Sequence, residues 1–373
     1  MPYLEKSVTA SGHSIAPYIS LVDDADPAKG LKINQDNPRF STGYSLLQNR
    51  PAMLVEMHML KDYKTRVTGN YEIMRALLEV INRHAEELVG NNREADAITI
   101  AAGKAHSAAA KFPLRLAPSV EMEAFHFRGF KFQRVESEIS GKPWIQYSHE
   151  PMAIDIPRPA RLNVALAITP PAAYLVPAQW TEIIDRLAAH GMQMERTSAP
   201  WSGEVETYRC EGLKWQQQPF EGRHPIQSIA DLGGDRPNDR PQCRLVREQL
   251  SFPRGSAVVP LDQRAAKLAI HFLEPEGPDS ALAWGFFDAI FEQKEYGEDY
   301  VLEKLARDML AKDPKLKAEF ENKLAKDKEF AASCSTRLNF FFQRSPWWDQ
   351  RLGLYPVGRL DSLDGVPVET RRR

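Results

Sequence analysis

Between Ala52 and Leu60 the chain reads Ala-Met-Leu-Val-Glu-Met-His-Met-Leu, with Met53, Val55, Met57 and Met59 at the odd positions and Glu56 and His58 among the even ones. Strict alternation predicts a strand, with Glu56 and His58 projecting from the same side near its C-terminal end. The period then changes. Ile73, Met74, Leu77, Leu78 and Ile81 recur three and four residues apart, which predicts a helix over 66–89 with one buried stripe. An alanine-rich helix is expected over 92–110. From 113 to 176 the pattern is β-like: Phe125-His126-Phe127 and Phe130-Lys131-Phe132 alternate, and 143–147 and 162–168 read as strands between Pro and Gly residues. A helix over 178–190 should stop at Gly191. Strands are expected at 205–210, 246–252, 256–261 and 268–273, an exposed polar loop at 233–241, and helices over 279–343 with a boundary at Asp313-Pro314. The first fifty residues are turn-rich (Asp23, Asp24, Asp26, Pro27 and Gly30, then Asn34 to Pro38), as expected of a chain that begins inside a larger domain.

The placement of Glu56 is the informative feature. An unpaired carboxylate buried among aliphatic residues costs several kcal/mol, roughly, unless it has a partner or stays near water. Ligand sites in α/β sheets lie beyond the C-terminal strand ends, where Glu56 falls. The pattern alone is compatible with catalysis, with ligand binding, and with a structural ion pair to Lys61, Lys64 or Arg66. His58 reads as a core or supporting histidine.

Composition narrows the functional classes. The 373 residues allow two or three domains, and a formal net charge of -2 offers no electrostatic attraction to nucleic acid or anionic membrane. The basic run Arg371-Arg372-Arg373 is too short to alter that. No apolar stretch is long enough for a membrane span, and Met1 to Lys6 has no signal-peptide character. Cys210, Cys243 and Cys334 are widely spaced, so neither a metal-spaced cluster nor a disulfide framework is expected.

The stretch Phe40-Ser41-Thr42-Gly43-Tyr44-Ser45-Leu46-Leu47-Gln48-Asn49-Arg50-Pro51, with Leu54-Val55-Glu56-Met57-His58-Met59-Leu60-Lys61, resembles the end of the catalytic domain in carboxypeptidase-A-like zinc metallopeptidases of the large bacterial type. Ala173 to Trp180, Phe220 to Arg223, Phe252 to Ser256, Pro260 to Gln263 and Trp284 to Phe287 are similar to the C-terminal extension of such proteins. The resemblance implies an α/β architecture: the C-terminal portion of a carboxypeptidase-like mixed-sheet domain (1–111), a β-rich extension with one helix (112–276) and a helical tail (277–373). It implies a hydrolase that removes C-terminal residues from peptides. Zinc would hold a water and polarise the scissile carbonyl, and Glu56 would act as general base. Arg39, Ser41 and Tyr44 would line the substrate pocket. The full-length relatives are expected to be exported to the periplasm or beyond.

One departure matters. The family's zinc ligands, a histidine-x-x-glutamate pair and a later histidine, all precede the catalytic glutamate. Here only His13 precedes Glu56, and His84-Ala85-Glu86-Glu87 follows it inside a predicted helix, where the two ends could pair on a solvated face. The chain alone is therefore expected to bind no zinc and to be inactive. Two other readings stand beside this one: a non-catalytic peptide- or glycan-binding scaffold descended from the family, and an unrelated metal-independent hydrolase using Glu56 and His58. The aromatic groups Phe340-Phe341-Phe342 and Trp347-Trp348 are expected to pack a helical core.

Overall fold

The computed structural model describes residues 2–227, 229 and 242–369. The expected loop at 233–241 and the basic run at 371–373 lie outside the described residues. Four helices dominate the first 105 residues: α1 (Pro2–Ala10), α2 (Ser41–Leu47), α3 (Tyr63–Arg83) and α4 (Ala85–Ala105), with one minimal pair of strands, β1 (Ser20–Leu21) and β2 (Leu31–Lys32). The helix break falls at His84, earlier than the spacing predicts. Asp62 caps α3 by accepting from the Thr65 amide at 2.9 Å. On α3, Gly69, Ile73 and Ala76 are buried, and Ile73 and Ala76 pack with Leu4 and Val8 of α1.

The expected strand at 52–60 does not form. Residues 51–58 take no regular secondary structure, and no described strand pairs with them. A strand exists only when a neighbour accepts and donates along its edge. The mixed sheet implied for this region is likewise not found among the described residues.

Two antiparallel ribbons follow. β3 (Phe112–Pro118) pairs with β6 (Leu162–Ile168), and β4 (Met122–Glu136) pairs with β5 (Pro143–Pro159). The principal sheet has six strands in the order β10-β9-β12-β7-β11-β8: β7 (Ala173–Val176), β8 (Glu195–Arg196), β9 (Trp201–Cys210), β10 (Cys243–Phe252), β11 (Ala257–Pro260) and β12 (Gly358–Leu360). Its larger core contains Tyr174, Val176, Tyr208, Ala257 and Val259 with α5 (Thr181–Ala189) and α6 (Ala266–Leu273). The expected strand at 268–273 is thus a helix. Leu268, Ala269, Ile270 and Leu273 are all buried, and a short run buried on every side carries no usable period. The last helices, α7 (Asp299–Lys312), α8 (Pro314–Lys326), α9 (Lys328–Ala332) and α10 (Cys334–Phe342), enclose a core of Phe330, Phe340 and Phe341. Asp313 caps α8 ahead of Pro314, as the sequence predicts.

Cys210 and Cys243 form a disulfide, against the expectation from cysteine count. Antiparallel pairing of β9 with β10 sets the two residues directly opposite, with Cα atoms 4.0 Å apart. Cys334 is free and exposed.

His271 of α6 supplies a measurable pH dependence. Its ring meets Phe112 edge-on at 5.3 Å and its Nδ1 is buried without a hydrogen-bond partner among the described residues. Burial lowers its pKa from 6.5 to about 4. As pH falls below 6.5 the unfolded chain takes up a proton that the folded chain refuses, so stability is lost between about 6.5 and 4 and not further below that. Urea unfolding at pH 7 and pH 4.5 should show wild type losing about 2–3 kcal/mol more than His271→Leu over that interval. Equal losses would assign the acid sensitivity elsewhere.

Candidate functional site

Of the expected alternation, the part over 54–58 survives without the strand, while Met53 is exposed. Val55 is half-buried against the α1–α3 cluster, and the Met57 methyl lies 2.5 Å from where a Cβ on Gly69 would stand. Gly69 thus leaves room for Met57. Leu54, Glu56 and His58 point outward and are exposed. Glu56 makes no hydrogen bond or ion pair among the described residues. His58 accepts the Leu60 amide at Nδ1 (3.2 Å) in a turn, so it is neither a core residue nor a partner for Glu56.

The surface around this segment is unusually apolar. Leu54, Met59 and Leu60 are 57%, 79% and 82% exposed. On α3, Val67, Tyr71, Met74, Leu78 and Ile81 form a second stripe, also exposed. The single buried stripe expected for this helix therefore divides: Ile73 and the half-buried Leu77 lie toward α1, whereas Met74, Leu78 and Ile81 are exposed. Exposed apolar groups of this kind occur at surfaces that meet another polypeptide, a membrane or a ligand.

Residues 36–50 are held by the elements that follow. Arg39 donates from its backbone amide (2.8 Å) and from Nη1 (2.7 Å) to the buried carboxylate of Asp279, which also accepts from Trp284 Nε1. Ser41 is exposed at the first position of α2. Gly43 permits a tight loop, because a Cβ there would stand 2.2 Å from the Asn37 carbonyl oxygen. The Tyr44 hydroxyl contacts His190 Nδ1 at 3.0 Å and accepts from Gln48 Nε2 at 3.1 Å. Burial, with the nearby charge of Arg186, lowers the pKa of His190. Arg264 donates to Gln48 Oε1 at 2.6 Å and Lys267 to Asn49 Oδ1 at 2.7 Å. Asn49 adopts φ 57, a left-handed conformation that asparagine tolerates, and its amide reaches Asp96 and Thr99. The Arg50 guanidinium pairs with Asp96 through both nitrogens and holds that carboxyl below its ordinary pKa. Arg39 and Tyr44 are thus fixed by Asp279 and His190, partners more than a hundred residues away that no local pattern reveals.

A second polar assembly escaped the sequence reading. Glu274, 1% exposed, accepts from Tyr174 Oη (2.6 Å), Tyr208 Oη (2.5 Å) and Arg359 Nη1 (2.6 Å). Arg359 also donates to the Thr169 carbonyl at 2.5 Å. Burial opposes the charge on Arg359, but Glu274 and the phenols around it raise its pKa above the ordinary arginine value. Burial, reinforced by Glu274, pushes both phenols upward.

His84 Nδ1 meets Glu87 at 3.1 Å on an exposed helix face, as a solvated pair. Among the described residues no three His, Cys, Asp or Glu side chains assemble as a metal-binding group. The residues present do not fit the zinc centre that the resemblance implies. No helix among them is long and apolar enough to cross a membrane.

The chain is 26% identical over 132 residues to carboxypeptidase 2 of Trichophyton tonsurans, a match that covers 35% of this chain and 22% of that protein. Carboxypeptidase 2 of Trichophyton rubrum is 28% identical over 115 residues, covering 31% and 19%. A probable carboxypeptidase 2 of Arthroderma benhamiae is 25% identical over 126 residues, covering 34% and 22%. The chain spans about a fifth of the length of these curated relatives. They are fungal, whereas the motifs pointed to a bacterial type. No family model and no solved structure matches the chain. These similarities support a relationship to carboxypeptidases.

Proposed function

We propose that this chain is the C-terminal part of a zinc-dependent carboxypeptidase that hydrolyses C-terminal peptide bonds, with Glu56 as general base. The observation that carries the reading is Glu56 itself: an exposed, unpaired carboxylate in a Leu-Val-Glu-Met-His-Met-Leu segment, rimmed by apolar side chains that nothing described covers. In this reading the zinc ligands come from polypeptide that precedes the segment in the intact enzyme. The same polypeptide covers Leu54, Met59 and Leu60 and supplies the strand neighbour that 52–60 lacks. Glu56 then takes the proton of the attacking water and returns it to the leaving amine.

Arg39, Ser41 and Tyr44 are proposed to line the substrate's path. Asp279 and His190 support this role by fixing two of the three side chains before substrate arrives, which lowers the entropic cost of binding. The disulfide favours maturation in an oxidising compartment, the periplasm or the cell exterior.

Metal analysis beside a peptidase assay tests the proposal. The 373-residue chain should hold no stoichiometric zinc and release no C-terminal residue. A version extended upstream through a histidine-x-x-glutamate pair should hold about one zinc per chain and be active. One equivalent of zinc in the short chain, or a natural reading frame without that pair, would remove this reading.

A further inference from the structure

Among the described residues β4 packs along its length against β5 alone. A two-stranded ribbon is marginal in water, and an unpaired edge is a template for another strand. The prolines of β5 show which backbone groups point outward. In an antiparallel pair, opposite residues either exchange both backbone bonds or turn both groups to the outer edges, and the two kinds alternate. Pro151, Pro157 and Pro159 have no N–H to exchange, so their pairs with Phe130, Ala124 and Met122 are of the second kind. Alternation then makes His126–Asp155 and Arg128–Ala153 the same.

The two edges of the ribbon are therefore unlike. On β5 the outward positions 151, 157 and 159 lack a donor, and β2 with the turn Pro27–Lys29 packs on the same strand. Such an edge is closed to pairing. On β4 the outward positions are Met122, Ala124, His126, Arg128 and Phe130. Their backbone groups have no partner outside the ribbon among the described residues, and all five residues are exposed. The open run ends at the register shift between Phe130 and Phe132.

Charge selects the occupant of this edge. Glu121 and Glu123 stand at one end of the run, Arg128 and Lys131 at the other. A second copy of the strand, antiparallel and centred on His126, sets Glu121 against Lys131, Glu123 against Gly129 and Ala124 against Arg128. A parallel copy would set acid against acid and base against base, which is unfavourable. Glu123 and Lys131 already pair within the ribbon, with Arg158 and Glu150, so the second copy joins exposed networks and strands no charge. The same register sets Phe125 against Phe127, extending the half-buried apolar row that these two residues form with Ile154. It also pairs every outward residue from Met122 to Phe130, whereas a shift in either direction leaves some unpaired.

We propose that two copies of this chain associate through β4, antiparallel about a two-fold axis at His126, as a four-stranded sheet in the order β5-β4-β4-β5. A two-fold contact of this kind is self-complementary and closes on itself. The proposal stands apart from the peptidase reading, because none of these residues belongs to the Glu56 segment or the 36–50 loop.

The test is sedimentation equilibrium of the purified chain and three variants. Wild type should dimerise reversibly with a Kd of about 1–100 μM. His126→Pro removes the central donor of each copy and, like Pro151 and Pro157, spares the β4–β5 ladder. It should weaken association at least about fivefold. Ala124→Lys sets a lysine against Arg128 twice per dimer and should weaken association by about three- to thirtyfold, whereas Ala124→Glu should tighten it by a similar factor. Ala124 is exposed, so its variants decide the matter should His126→Pro fail to fold. The upstream-extended protein should dimerise with the same responses. A chain that is monomeric at about 200 μM would overturn the proposal, as would a dimer indifferent to the Ala124 variants. So would a dimer lost on upstream extension, which would give the β4 edge to the preceding polypeptide.

Discussion

Replacing Glu274 by alanine should destabilise the protein by about 3–5 kcal/mol, enough to remove much of a typical domain's stability. The carboxylate is the common acceptor for Tyr174, Tyr208 and Arg359, all buried. Without it two phenols lose their acceptor, and a guanidinium stays buried with Glu206 as its nearest remaining charge, at 3.9 Å. The cost comes mainly from stranding that charge, not from the net worth of the pair. Two further substitutions separate these terms. Glu274→Gln keeps one acceptor oxygen, turns the other into an N–H donor and removes the charge, and should cost at least about 1–3 kcal/mol. Glu274→Leu combined with Arg359→Met should recover most of the loss, since neither charge is then left alone. Urea unfolding measures all three. A Glu274→Ala variant within about 1 kcal/mol of wild type would show that solvent reaches the cluster and that it is not a structural keystone.

The second large effect concerns Glu56 and has the opposite character. In the 373-residue chain, Glu56→Gln should change stability by less than about 0.5 kcal/mol, because the side chain is exposed and makes no described contact. In the upstream-extended enzyme the same change should lower kcat by about a hundred- to ten-thousandfold with little effect on KM. A residue that is silent for folding and decisive for turnover is one placed for chemistry. A structural ion-pair role would give the reverse, a loss of stability with activity falling only in proportion to unfolded protein.

Legibility in the sequence followed the physics of each element. The outward projection of Glu56 and His58 was readable, because side-chain alternation needs no paired neighbour. The strand itself was not, because pairing needs a neighbour that local sequence does not encode. The α3 helix was readable from its spacing, but five apolar positions could not say which of two faces would be covered. Helix α1 was missed although Leu4 and Val8 stand four residues apart and are both buried on it, a signal that was available. The run at 268–273 was misread because burial on all sides erases the period. The Cys210–Cys243 disulfide depends on strand register, and the Glu274 cluster gathers residues from β7, β9, β12 and the end of α6. No spacing rule reaches such contacts. Of the candidate site, residue types in 39–58 were legible. Their braces, Asp279 and His190, were not.

The most direct test of the account is turnover and bound zinc measured together in the upstream-extended protein and its Glu56→Gln variant. The account predicts about one zinc in both, with release of C-terminal residues nearly abolished in the variant alone. Undiminished hydrolysis by a zinc-replete Glu56→Gln enzyme would contradict it.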